Sequence, residues 1–221
     1  MIRSGAMKRR ELVGALLLLG APGIALAQAR PTAAELVARV DAFHGRTRTI
    51  RARFSQFFWS RAYGRTSTSR GRIAIERPGR VRFDYDPPNG KIFVAEGARW
   101  LMYEPFDGGP GQFSRGTSSA LIAALGILSG AISLDAYRAS VADRSAGAPA
   151  DTDALELVPV QRDPHHRCVR LHVDARGAVR RVGLLDHEGN WNTFALDELA
   201  FDAPIDPSTF SFTPPAGARE L

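Results

Sequence analysis

The sequence predicts a mainly β (α+β) fold: one large antiparallel sheet, curved or partly closed, accompanied by two helices. Three features carry that expectation. About ten short runs alternate apolar and polar residues, with Gly, Pro and Asn punctuation between them. Helical spacing of apolar residues appears in two segments. No internal repeat or shift of composition marks a second domain, and 221 residues suffice for one domain with a real core.

The chain opens on a basic segment ending in Lys8-Arg9-Arg10, followed by an apolar run over 12–26. Small residues for cleavage follow at Ala25-Leu26-Ala27 or Ala27-Gln28-Ala29. This is the pattern of a secretory signal peptide, too short and too broken by Pro22-Gly23 to span a bilayer. Residues 1–27 are expected to be cleaved, leaving 28–221 as a single soluble domain in the cell envelope. The Arg9-Arg10 pair leaves twin-arginine export open beside the Sec default. No cysteine stands at the cleavage site to take a lipid, and the single Cys168 excludes an internal disulfide.

Thr32 and Glu35 form a capping box ahead of AAELVARVDAFHG, where Leu36, Val40 and Phe43 share a helical face. A helix is expected over 33–44, with Gly45 ending it. Residues 50–60 alternate, with Ile50, Ala52 and Phe54 on one side, and then break into Phe57-Phe58-Trp59. A strand that is apolar on both faces at one end is covered on both sides or lines a cavity. Residues 64–69 read as a polar turn. The stretch 71–106 holds consecutive antiparallel strands: Val81, Phe83 and Tyr85 share a face, Pro87-Pro88-Asn89-Gly90 closes that strand, and 92–94 pairs with 100–103 across Glu96-Gly97.

Residues 105–116 are Gly-rich and expected to be a loop. In the segment SSALIAALGILSG, Leu121, Ile122, Leu125 and Leu128 are helically spaced, yet apolar residues run almost all the way round. Such a helix must be buried or must touch a greasy ligand. Gly126 lowers its helix propensity and Gly130 ends it. After a loop at 144–153, strands are expected at 154–159, 167–173, 179–185 and 192–199, with a last short one at 210–212.

Composition excludes several function classes. The formal charge of +6 falls to about +3 once Arg3, Lys8, Arg9, Arg10 and Glu11 leave with the signal, since 25 basic and 22 acidic residues remain. There is neither a clustered basic face nor a known nucleic-acid module, so no nucleic-acid partner is expected. His165, His166, Cys168 and His172 come closest to a metal set. A zinc site draws its ligands from two well-spaced pairs, and no second pair exists, so these residues read as a turn flanking a strand. There is no G-x-S-x-G elbow, no H-E-x-x-H and no phosphate loop. Asp84 and Asp86 read as solvating their strand. No catalytic residue, metal or cofactor is expected, and the protein is not read as an enzyme.

What remains is apolar. Phe57, Trp59, Val81, Phe83, Trp100, Met102, Leu121, Ile122, Leu125 and Leu128 are either plain core or the wall of a hydrophobic hollow, with the greasy helix as a movable lid. Arg77 sharpens the choice. If Ile73 and Ile75 face inward, period 2 puts Arg77 on the same side. Its guanidinium either snorkels at a strand end or donates to the unpartnered carbonyls at the C-terminal end of that helix, closing the lid without sealing it.

The residues also carry a resemblance. Arg53-Phe54-Ser55-Gln56, Glu76-Arg77-Pro78 with Phe83 beyond, Ile92-Phe93-Val94-Ala95-Glu96-Gly97 running into Trp100, Tyr103-Glu104-Pro105-Phe106, and Phe210-Ser211-Phe212-Thr213-Pro214-Pro215-Ala216-Gly217 together resemble the LolA family, the periplasmic carriers of outer-membrane lipoproteins. That resemblance implies an incomplete, strongly curved antiparallel β-barrel with an α-helical lid over a hydrophobic cavity. It implies a monomeric periplasmic chaperone that accepts acylated lipoproteins from an inner-membrane ABC release complex and passes them to an outer-membrane lipoprotein receptor. Arg77 aligns with the family's lid-bonding arginine. The aromatic that follows the Arg-Pro motif falls on Val81 or Phe83, and the lid segment is more aliphatic here and contains Gly126. The alternatives are an envelope-stress sensor or a glycolipid-binding domain of the same fold; a receptor would need a lipid-bearing cysteine.

Overall fold

A computed structural model describes residues 30–117 and 120–221 of the chain; the expected signal peptide lies outside them. The first described element is helix α1, Ala33–Arg46. It begins where the sequence places it: Thr32 Oγ1 accepts from the Glu35 amide at 3.3 Å, and Glu35 Oε2 accepts from the Thr32 amide at 2.8 Å. It runs past Gly45, which does not take the left-handed conformation that ends helices. Thr47 ends it instead, its hydroxyl donating to the Phe43 carbonyl at 2.8 Å. Leu36, Val40 and Phe43 are buried, as their spacing requires.

Among the described residues twelve strands follow: β1 (Thr49–Ser60), β2 (Arg65–Glu76), β3 (Arg80–Tyr85), β4 (Ile92–Glu96), β5 (Arg99–Glu104), β6 (Gln112–Gly116), β7 (Tyr137–Ala142), β8 (Thr152–Pro159), β9 (Cys168–Asp174), β10 (Val179–Leu185), β11 (Trp191–Phe201) and β12 (Arg219–Glu220). Helix α2, Ala120–Ser129, separates β6 from β7. All twelve strands form one sheet in the order β12-β6-β5-β4-β3-β2-β1-β11-β10-β9-β8-β7. Every pairing is antiparallel except the two-residue β12 against β6. The edge strands β12 and β7 do not pair with each other, so the sheet is not closed into a barrel.

Curvature follows from what α2 touches. It packs against β10 and β2, and its Leu125 borders Val81 of β3 and Phe93 of β4. In a flat sheet β4 and β10 would lie about 24 Å apart, at roughly 4.8 Å per strand. A helix about 10–12 Å across can rest on both only if the sheet curls round it. The curled face carries the core: Ile50 and Phe54 of β1, Ile73 and Ile75 of β2, Phe83, Phe93, Leu171, Val182 and Phe194 are buried there with residues of both helices.

Three further expectations are corrected, and β7 is a strand for which the sequence raised no expectation. Residues 65–69 are strand rather than turn, because each pairs with β1, from Ser60↔Arg65 to Gln56↔Ser69; backbone pairing needs no apolar side chain. Residues 112–116 form β6 along β5, and 137–142 form β7 along β8. Residues 210–212 are not a strand; Pro207–Phe210 is a 3₁₀ turn, opened by Asp206 accepting from the Ser208 amide.

Candidate functional site

The candidate site lies where α2 meets the turn between β2 and β3. Leu125, Ile127 and Leu128 of α2 are all buried, which accounts for a helix apolar on more than one face: the sheet covers one side, and Ile132 packs on the other. The side chains of Leu121 and Ile122 lie outside the described set. Gly126, costly in a helix, has a packing reason, since a Cβ there would stand 2.5 Å from Ile132 Cδ1.

Beneath α2 the sheet presents an aromatic floor. Phe83, fully buried, meets Phe54, Phe194 and Phe93 at centroid distances of 5.0, 5.5 and 6.2 Å. Trp100 stacks on Phe93 at 6.3 Å, and Met102 stands opposite Phe93 on β5. Val81, Phe83, Leu125 and Leu128 belong to one core, with Trp100 and Met102 packed on its edge. The space left among Gly79, Val81, Phe93 and Leu125 is about 10 Å³. In this structure α2 is seated on the sheet.

Phe57 and Trp59 stand apart from this group. Phe54 pairs with Leu196 on the buried face, so Phe57 and Trp59, an odd number of residues further on, point the other way, opposite Thr193 and Trp191. Their neighbours are on the sheet face turned away from α2.

The C-terminal end of α2 shows how it is held. A helix leaves its last four carbonyls without intrahelical partners. Here each is met. The Gly126 carbonyl accepts from the Ile132 amide at 3.0 Å, and the Ile127 carbonyl from the Gly130 amide at 3.3 Å. The Leu128 carbonyl accepts from Arg77 Nη1 at 3.2 Å. The Ser129 carbonyl accepts from the Gly79 amide at 2.9 Å, and the Gly79 carbonyl in turn accepts from the Gly97 amide at 2.9 Å. Two of the four donors thus come from one turn, Arg77-Pro78-Gly79. Gly130 lies in the left-handed region at φ +74°, and a Cβ on it would meet Arg77 Nη2 at 2.8 Å, so the guanidinium rests against bare backbone.

Arg77 is half-buried. Burial lowers its pKa, which the field of Asp41 on α1 opposes. Asp41 is itself shifted up, by burial first, then by Asp135, with Arg77 opposing. His44 is buried, neither ring nitrogen has a hydrogen-bond partner, and burial with Arg77 nearby holds its pKa down to about 4.

The histidines and cysteine flagged in the sequence separate. His166 Nε2 lies 3.3 Å from the Tyr137 hydroxyl and its Nδ1 2.9 Å from Asp163, while His172 Nε2 lies 2.8 Å from Ser145 Oγ. Burial pushes the Cys168 thiol up to about 11, away from nucleophilic use. Asp84 pairs with Arg82 at 2.7 Å and Asp86 with Arg53 at 2.6 Å. Among the described residues no group of three His, Cys, Asp or Glu side chains is arranged to hold a metal ion.

Sequence reasoning missed Gly79. The Pro78-Gly79 dipeptide signals a turn, but nothing local shows that its amide faces the end of a helix some fifty residues later.

The family model described as "Outer membrane lipoprotein carrier protein LolA" matches residues 45–213. An outer-membrane lipoprotein carrier protein of Chromobacterium violaceum is 27% identical over 202 residues, covering 90% of this chain and 94% of its own. Another, of Dechloromonas aromatica, is 28% identical over 187 residues, covering 81% and 85%. Among solved structures, a LolA superfamily protein of Nitrosomonas europaea superimposes with a TM-score of 0.43 at 11% identity, covering 83% and 99%.

Proposed function

Because the chain belongs to the family of the outer membrane lipoprotein carrier protein LolA, we propose that it is a periplasmic lipoprotein carrier that holds acyl chains between α2 and the aromatic floor of the sheet. The observation that carries this reading is the closure of α2: an all-apolar contact fastened at one end by Arg77 and Gly79. Such a seat opens without unfolding the sheet. A hydrogen bond from a charged donor is worth about 1.5–3 kcal/mol net. Each methylene buried is worth about 0.8 kcal/mol, so roughly four methylenes entering under α2 offset the Arg77 bond. Leu125 and Leu128 would then face the acyl chain, and Val81, Phe83, Trp100 and Met102 would form the opposite wall.

In this reading Arg77 is a latch, and the protein is a binding protein with no catalytic residue or cofactor. It acts as a monomer on the lipid moiety of its cargo, receiving it from an inner-membrane ABC release complex and delivering it to an outer-membrane receptor. Residues 1–27 would serve as the export signal. Among the described residues no helix is long and apolar enough to cross a membrane.

The test is transfer. Protein purified from the envelope should carry lipoproteins identifiable by mass spectrometry, and Arg77→Leu should fold normally yet alter their release or hand-off. Wild-type rates of transfer by Arg77→Leu would remove the latch role. Recovery of a signalling protein in place of lipoproteins would favour a sensor.

A further inference from the structure

The sheet face turned away from α2 has a pocket of its own. It measures about 510 Å³ and is roofed by residues 145–147 of the β7–β8 connection. Register explains its lining. Trp59 stands directly opposite Trp191, and Phe57 opposite Thr193. Gly183 stands opposite Thr193 on one side and Arg170 on the other, so a residue without a side chain forms the floor among larger neighbours. Arg181 stands opposite His172. The pocket is therefore aromatic at the β1–β11 end and cationic at the β9–β10 end.

The cationic end is short of counter-charge. Arg170 lies 5.1 Å from the Trp191 ring centroid and pairs with Glu156 at 2.5 Å. Arg181 lies 5.7 Å from the Phe57 ring centroid and donates from Nη1 to the Ala146 carbonyl at 3.1 Å. No carboxylate pairs with Arg181 among the described residues. His172 is buried with Nε2 on Ser145, and its Nδ1 has no hydrogen-bond partner. Burial holds the His172 pKa down to about 4, and the fields of Arg181, Arg170 and Arg144 add to that. A half-buried guanidinium without a carboxylate is a costly arrangement that a bound anion relieves.

We infer that this pocket is a second ligand site, for an organic anion with a flat apolar body: the ring lies among Phe57, Trp59 and Trp191, and a carboxylate or phosphate head meets Arg181. The volume lies within the ~300–1,000 Å³ of ordinary ligand pockets. Aromatic walls with a few convergent polar groups are the composition such pockets share. Glu156 neutralises one arginine and leaves the other for the ligand. The site is on the opposite face from α2, so it stands or falls separately from the carrier reading.

Calorimetric titration of the purified protein tests it with 2-naphthoate, 2-naphthyl phosphate and the uncharged 2-naphthalenemethanol. One-to-one binding of either anion is expected, at least tenfold tighter than the alcohol; the tighter anion identifies the head group as carboxylate or phosphate. Arg181→Gln and Trp191→Leu should each weaken it tenfold or more, with unchanged circular dichroism and unchanged lipoprotein transfer. Arg181→Lys, which keeps the charge and loses the planar fork, should retain part of it. Trp100→Leu, on the other face, should leave it intact. Equal affinity for all three probes, no response to Arg181→Gln in a folded variant, loss on Trp100→Leu, or no saturable binding of either anion at millimolar concentration would each overturn the assignment.

Discussion

Arg77 was visible in the sequence as an arginine closing an apolar row, and its contact shows why the row ends that way. It supplies the partner of one carbonyl, Leu128, and lies flat against Gly130. Arg77→Leu would leave that carbonyl without a partner, costing the seated state about 1–3 kcal/mol. Amide exchange of α2 should accelerate about fivefold or more, while exchange in β1 and β11 stays at the global rate; equal acceleration everywhere would mean that the arginine supports the whole fold. Gly130→Ala acts on the same contact from the other side. It strains a φ of +74° and puts a methyl 2.8 Å from Arg77 Nη2. Gly130→Ala should match Arg77→Leu in α2 exchange, and the double variant should add little to either single one. Additive effects would show that the two residues act separately.

At the level of elements, α2 is the informative case. Its pattern announced burial on several faces but not what covers each face, because the second cover, Ile132, lies beyond the helix. Gly126→Val adds bulk where a Cβ would already stand 2.5 Å from Ile132, and overpacking of this kind costs about 1–3 kcal/mol. The midpoint of urea unfolding should fall, and Ile132→Ala in the same chain should recover part of the loss; no recovery would place the strain elsewhere. The strands divide in the same way. β3 was legible because Val81, Phe83 and Tyr85 bury alternate positions. The start of β2 was not, because residues 65–68 are exposed on both faces and are ordered by their bonds to β1. β6 and β7 were missed for a related reason: both are short, and their burial is too uneven to leave a period. Phe57 and Trp59 are apolar in a strand whose inner row had ended, so sequence alone placed them in the hollow; register puts them on the opposite face, across from Trp191.

The whole molecule keeps three histidines in its interior: His44 in the last turn of α1, His166 beside Tyr137, and His172 beneath the β7–β8 connection, each almost fully buried. All three are shifted down from the ordinary histidine value, chiefly by burial, with His44 and His172 held at about 4. The unfolded chain therefore takes up protons that the folded chain refuses. Stability from His44 and His172 is fully present above about pH 6.5 and declines as pH falls towards 4, by up to about 1 kcal/mol per pH unit for each, and His166 contributes with the same sign. His44 offers the cleanest separation, because neither ring nitrogen has a hydrogen-bond partner to lose. His44→Leu should unfold in urea at a midpoint close to wild type at pH 7.5. It should be the more stable of the two at pH 5, with a shallower dependence between them. Parallel pH curves for the two proteins would show that His44 gains no proton on unfolding in this range. A variant that is weaker at both pH values would show instead that its ring packing against Phe43, at 5.3 Å, matters more than its buried neutrality.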